Sequence, residues 1–345
     1  MKKNQISRRD FMQKTAITAG MAPIASFTSQ GVLISANDAD DKPPRQVWIA
    51  GVSQAGIRTK TPEEMVDRIL GILEDVTIYK PDFVCLPEVF PFEYVEKITT
   101  LREKVEISEK VLEQFSEFSR ANNCYTICPV FTSSDGRVFN SAVVFDRSGK
   151  RIGQYNKIHE TVGMIKYGVS CGALFQPAIQ TEFGPVGIQI CYDINWDDGW
   201  KMLKDQNVKI IFWCSAFDGG RQLNMKALRY KCVIASSTNK NTSKLCDISG
   251  ETIATTGIWD PNFYCGQVNL EKIFLPTYDY LKEVREIELK YGRKVKIQVF
   301  HEEEWTIIES LSPDIYIDDI VREFGLKSHD EGLREAEVIQ GKSRV

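Results

Sequence analysis

Three side chains of the types that acyl transfer needs lie in short segments that each follow an apolar run. They are Glu88 in LPEVF (86–90), Lys157 in YNKIHE (155–160) and Cys191 in GPVGIQICYDINW (184–196). A thiol attacks as thiolate, so it requires a base or a nearby cation. A carboxylate such as Glu88 can take that proton and later hand it to a departing nitrogen. An ammonium such as Lys157 stabilises the thiolate and then the oxyanion of a tetrahedral intermediate. Together the three suffice for acyl transfer from a carbon–nitrogen bond, and the chemistry calls for no metal and no cofactor. Singly, each is commonplace: a surface carboxylate, a solvated lysine, a core thiol. The reading rests on their joint occurrence at strand ends, where side chains are held rigidly at a sheet edge.

The elements that must position them follow from pattern. Val47–Val52 and Phe83–Leu86 read as buried strands. Thr61-Pro62-Glu63-Glu64 reads as a helix start, with Met65, Ile69, Ile72, Leu73 and Val76 at helical spacing. Ser108 is expected to open a second helix. Tyr125–Phe131, Val138–Phe145 and Ile152–Ile158 form consecutive strands around polar turns, and Val186–Cys191 and Lys209–Trp213 are further strands. Helices are expected at Asp198–Asp205 and Arg221–Lys231. Helices alternating with strand runs give an α+β class, with sheets packed together and helices outside. The stretch after Leu270 is more charged and reads as more helical, an extension packing on the core or on a partner subunit.

At this point the chain resembles the nitrilase superfamily of carbon–nitrogen hydrolases, over roughly 46–270. CYDINW is the most specific match, supported by FNSAVVFDRSGKRIGQYNKIH, FGPVGIQICYD, SAF at 215–217 and Arg229. The resemblance implies a four-layer αββα sandwich. It makes Glu88 the general base and acid, Lys157 the thiolate and oxyanion stabiliser, and Cys191 the nucleophile, with the backbone N–H of Tyr192 completing the oxyanion hole. It further implies a small amide or N-carbamoyl substrate, water as co-substrate and a homodimer or higher homo-oligomer. One departure stands out. Many members carry a further glutamate a few residues beyond the lysine, and here Met164 falls at that place in KIHETVGMIKYG. Glu160, four residues earlier, is the candidate replacement. Two rival readings are a papain-like pairing of His159 with Cys191, and a protein of this fold that binds a ligand without turning it over.

Composition bounds the rest. The 345 residues carry 43 basic and 47 acidic side chains, net −4. Residues 1–36 hold five basic and one acidic, so the remainder stands at −8, a sign that repels phosphate backbones and argues against nucleic-acid binding. Nine cysteines without CxxC spacing and three histidines give no zinc pattern. SRRDFMQK (7–14), followed by a mild apolar stretch, resembles a twin-arginine signal and points to export to the periplasm or the outer face of a bacterial membrane. The expected organisation is thus 1–36 signal peptide, 37–45 linker, 46–270 hydrolase domain and 271–345 extension. Cleavage after Ala25 or after Ala36 is equally compatible with the sequence.

Overall fold

The computed structural model describes residues 45–257, 259 and 261–344. The twin-arginine segment and all but the last residue of the 37–45 linker lie outside the described residues. In chain order the elements of the first part are β1 (Gln46–Val52), α1 (Pro62–Thr77), β2 (Phe83–Cys85), α2 (Leu101–Asn122), β3 (Tyr125–Ser134), β4 (Arg137–Phe145), β5 (Arg151–Asn156) and α3 (Val162–Tyr167). They continue with β6 (Ile179–Thr181), β7 (Gly184–Ile190), α4 (Asp198–Asp205), β8 (Ile210–Ser215), α5 (Arg221–Tyr230), β9 (Val233–Thr238), β10 (Lys244–Cys246), β11 (Thr252–Thr255) and β12 (Phe263–Asn269).

Two six-stranded sheets result, ordered β12-β1-β2-β3-β4-β5 and β11-β10-β9-β8-β7-β6. Each has a parallel centre, β1-β2-β3 in one and β7-β8-β9 in the other, with antiparallel flanks. Their inner faces meet in one apolar layer, where Ile49, Phe83 and Ile127 share a core with Ile188, Phe212 and Ala235. The outer face of the first sheet is covered by α1 and α2 through Met65, Ile69, Leu73 and Phe115. That of the second is covered by α4 and α5 through Trp200, Leu203, Leu223 and Ala227. The order helix, sheet, sheet, helix is the αββα sandwich expected.

Local chemistry sets the helix that backs Glu88. In α1 the Thr61 hydroxyl accepts the Glu64 N–H, Pro62 occupies the first turn, and Met65, Val66, Ile69, Leu73 and Val76 are buried on one face. Each such side chain contributes roughly 1.5–3 kcal/mol on leaving water. The start of α2 differs from expectation. Thr100, not Ser108, caps it, through a capping box with Glu103. Ser108 is interior and buried, its hydroxyl donating to the Lys104 carbonyl one turn back.

The region after Leu270 also departs from a helical reading. It contains β13 (Lys272–Pro276), α6 (Leu281–Tyr291), β14 (Val295–Phe300), β15 (Trp305–Ser310), α7 (Ile317–Phe324) and α8 (His329–Ser343). The strands form an antiparallel sheet ordered β13-β15-β14, over a core of Leu275, Ile287, Ile308 and Ile320. Lys272 opens β13, Lys296 interrupts β14 and Glu309 ends the apolar run of β15, so the apolar runs are short and flanked by charge. Lys204 on α4 meets Asp330 on α8 at 2.7 Å, so the region is tied to the sandwich.

Candidate active site

Glu88 stands three residues beyond β2, Lys157 directly after β5, and Cys191 directly after β7. The two sheets bring these strand ends together. Glu88 and Lys157 form a buried ion pair, Nζ to Oε1 at 2.6 Å, and Asn140 Nδ2 donates to the same oxygen at 2.8 Å. The other carboxylate oxygen accepts the Ala216 N–H at 2.9 Å. Three donors thus fix the carboxylate, so its orientation does not depend on substrate. Val89 and Cys191 both adopt left-handed backbone, φ 37° and 47°, which is costly for residues with a Cβ and collects at functional sites.

Electrostatics define the resting state. Burial pushes the Cys191 thiol up to about 12, and the Glu88 charge adds to the rise. Lys157, the Ala216 N–H and the Ser215 hydroxyl pull the other way. Cys191 therefore rests as a thiol at neutral pH and must lose its proton as it attacks. Burial alone would discharge Lys157, but Glu88, then Cys191 and Glu160, outweigh it and hold the ammonium above its ordinary range.

Glu160 is buried, and its carboxylate points to Lys157, Oε2 to Nζ at 3.8 Å. Neither oxygen accepts a hydrogen bond of normal geometry, the adjacent Thr161 N–H lending only a weak pull. Burial raises this carboxyl to about 7; Lys157 opposes the rise, while Glu88 and Asp193 reinforce it. A solvated loop position is thereby excluded. Met164 sits on α3 and packs with Val89 and Phe131 as apolar wall.

Asp193 is the joint of the site. Its Oδ2 accepts Tyr155 OH at 2.8 Å and the Ile190 N–H at 2.9 Å, while Oδ1 accepts the His159 N–H at 2.7 Å. One buried carboxylate thus ties the end of β7 to the segment that carries Lys157. The His159 ring lies between Asp193 at 3.2 Å and Asp198 at 3.2 Å and stacks on Trp196, centroids 4.2 Å apart. Both ring nitrogens face carboxylates, which removes the papain-like pairing with Cys191. The hydrogen bond to Asp193 raises the His159 pKa, and the Asp198 charge adds to the rise. Tyr192 shows a 39 % exposed side chain, and its N–H lies in the first turn of the short helix Cys191–Asn195, where backbone donors lack intrahelical acceptors. Arg229 meets Asp197 at 2.9 Å on the surface. Sequence reasoning gave no role to Asn140, Tyr155 or the Ala216 N–H. The available signal was an amide at the head of the apolar run in β4 and a phenol as the one buried side chain of β5.

Comparisons with known proteins bear on the fold and the family. Among solved structures, an amidase from Nesterenkonia sp. superposes with a TM-score of 0.59 at 15 % identity, covering 66 % of this chain and 91 % of that one. Nit3 of Saccharomyces cerevisiae, a member of the nitrilase superfamily, gives 0.57 at 16 % identity with the same coverages. A carbon-nitrogen hydrolase from Helicobacter pylori gives 0.58 at 17 %, covering 72 % and 93 %. The fold is therefore that of the nitrilase superfamily. The family model for carbon-nitrogen hydrolases matches residues 49–273, and the chain belongs to that family. The probable hydrolase YhcX of Bacillus subtilis is 27 % identical over 158 residues, 44 % of this chain and 30 % of that protein. The deaminated glutathione amidase of Synechocystis is 24 % identical over 148 residues, 39 % of this chain and 54 % of that protein. The chain spans less than two thirds of the length of either relative.

Proposed function

We propose that the protein hydrolyses a non-peptide carbon–nitrogen bond of a small amide or N-carbamoyl compound through a thioester on Cys191. The observation that carries this reading is the buried Glu88–Lys157 pair, 2.6 Å apart and braced by Asn140 and the Ala216 N–H, acting electrostatically on Cys191. As Cys191 Sγ bonds to the carbonyl carbon, its proton passes to Glu88 and the carbonyl oxygen becomes an oxyanion against Lys157 and the Tyr192 N–H. Collapse breaks the carbon–nitrogen bond, and Glu88 returns the proton to the leaving ammonia or amine. Water then adds to the thioester, Glu88 again taking a proton, and the second collapse expels the thiolate, which recovers it. A panel of amides, ureido acids and nitriles, assayed for ammonia release, tests the proposal. Specific binding of any of them with no release would favour the ligand-binding alternative, which Met164 at the place of a family glutamate encourages.

Glu160 supplies the missing carboxylate in this reading, holding Lys157 or the attacking water. Glu160→Gln is expected to lower kcat by ~10²-fold, the scale of a positioned acid–base group. Stability supplies the second readout. A carboxyl raised from 4.5 to about 7 in the folded protein binds its proton more tightly when folded, so stability falls as pH rises from about 4.5 through 7. Glu160→Gln is expected to flatten that slope and to melt higher than wild type at pH 8. Unchanged kcat with an unchanged slope would place Glu160 outside the mechanism.

The family resemblance and the exposed apolar residues Tyr278, Leu281 and Leu289 support a homodimer or higher homo-oligomer. Light scattering at micromolar concentration is expected to show at least twice the chain mass, and a monomer would remove the idea. Export through the Arg8-Arg9 pair is the proposed route. Replacing both with lysine is expected to leave a precursor in the cytoplasm, whereas normal processing of the double variant would contradict it.

A further inference from the structure

Where the sandwich meets the C-terminal sheet, α4, α8 and β13 line a partly open cavity of about 260 Å³, with Lys209 and Arg334 at its exposed rim and with none of Glu88, Lys157 and Cys191 in its lining. Its lining carries five basic side chains, Lys204, Lys209, Lys231, Lys272 and Arg334, against two carboxylates, Asp205 and Asp330. The excess stands out in a chain of net charge −4. Asp330 answers Lys204 at 2.7 Å, and Asp247 answers Lys272 at 2.9 Å. Among the described residues, no carboxylate lies within 4 Å of the charged groups of Lys209, Lys231 or Arg334.

Two of the lining side chains are incompletely satisfied. The Lys231 ammonium lies over the Phe274 ring at 4.3 Å and the Trp305 ring at 5.3 Å, and donates one hydrogen bond, to the Leu228 carbonyl at 2.6 Å. An ammonium has three donors. The His329 Nδ1 is buried without a hydrogen bond, 3.9 Å from Asp330, its ring edge-on to Phe274 and Trp305. His329 is also the first residue of α8, whose first turn carries Asp330 and Glu331 and whose N-terminal donors are answered by the Ser328–Glu331 capping box, so the cations and not the helix end carry the positive field here. Burial lowers the Lys231 pKa, as expected for a cation short of partners.

We propose that this cavity is a binding site for a phosphate-sized oxyanion, a free phosphate or the phosphate group of a small metabolite, held by Lys231, Lys209 and Arg334 at the start of α8. An oxyanion supplies the acceptors that the ammonium lacks and offsets the local charge excess. The site is independent of turnover at Cys191. Isothermal titration of the full chain with inorganic phosphate, at fixed ionic strength in an amine buffer, is expected to show one saturable site per chain. Lys231→Met and Arg334→Gln are each expected to weaken it at least about tenfold, the loss of one charge-assisted contact. Lys290→Met, on exposed α6 and paired with Glu323, is expected to leave it unchanged. If Lys231→Met fails to melt like wild type, Arg334→Gln decides alone. Neither saturable heat nor a rise in melting temperature at millimolar phosphate, or variants that bind like wild type, would overturn the site.

Discussion

Replacing Cys191 with alanine is expected to abolish turnover, by about 10⁶-fold, the scale of removing the nucleophile from an acyl-transfer site. The melting temperature is expected to stay close to that of wild type. Both follow from the geometry. The thiol sits on a left-handed elbow at the end of β7, where Asp193 fixes the backbone whatever side chain residue 191 carries. A thiol at about 12 is neutral at rest, so its removal leaves no buried charge unpaired. Iodoacetamide is expected to label Cys191, 8 % exposed, faster than Cys85 or Cys214, which are fully buried between the sheets. Equal labelling of the three in the folded protein would count against the assignment.

Lys157→Met is expected to affect both rate and stability. Removing the group that faces the oxyanion should cost on the order of 10³-fold in kcat. The stability loss has a separate cause: Lys157 is the one cation within 4 Å of Glu88 and of Glu160 among the described residues. Without it two carboxylates share a buried site, and breaking such a pair costs about 3–5 kcal/mol. The pH dependence has a defined sign. Lys157 has a folded pKa above its ordinary value of 10.5, so in wild type its contribution is complete below that pH and lost as pH rises past it. In the variant the deficit comes from like charges, so it should be larger at pH 8 than at pH 5, where a carboxyl takes up a proton. Denaturant melts at the two pH values check this, and a deficit that grows toward pH 5 would contradict it.

The candidate catalytic residues were legible because each lies at or just beyond the end of a strand, Cys191 and Lys157 directly and Glu88 three residues on. FVCLPE and IQIC announce a buried strand and then a residue able to do chemistry, whereas QYNK ends a half-buried polar strand and was legible only in company with the other two. The four layers were legible for a related reason, since α1 and α2 show a single apolar face and the central strands are apolar on both. What holds the site together was not legible. Asn140 lies inside β4 and Tyr155 inside β5, and nothing local distinguishes a side chain that reaches Glu88 or Asp193 from one that fills core. Burial of Glu160 was not legible either, because it lies in a short polar segment between β5 and α3 that carries no periodic pattern. Thr100 was passed over for Ser108 because Lys97 to Lys104 lacks the apolar repeat that begins at Ile107. The C-terminal strands were obscured because their apolar runs are short, bounded by Lys272 and Glu309 and broken by Lys296.

The central claim is a covalent acyl-enzyme on Cys191. Its most direct test is mass spectrometry of intact and digested protein, acid-quenched within the first turnovers of an amide that the enzyme turns over. The account predicts a mass increase equal to the acyl group, on the peptide carrying Cys191, absent from Cys191→Ala and discharged by neutral hydroxylamine. Ammonia release with no adduct at any quench time in a variant stalled at deacylation, or an adduct on Ser215 or another residue, would contradict it.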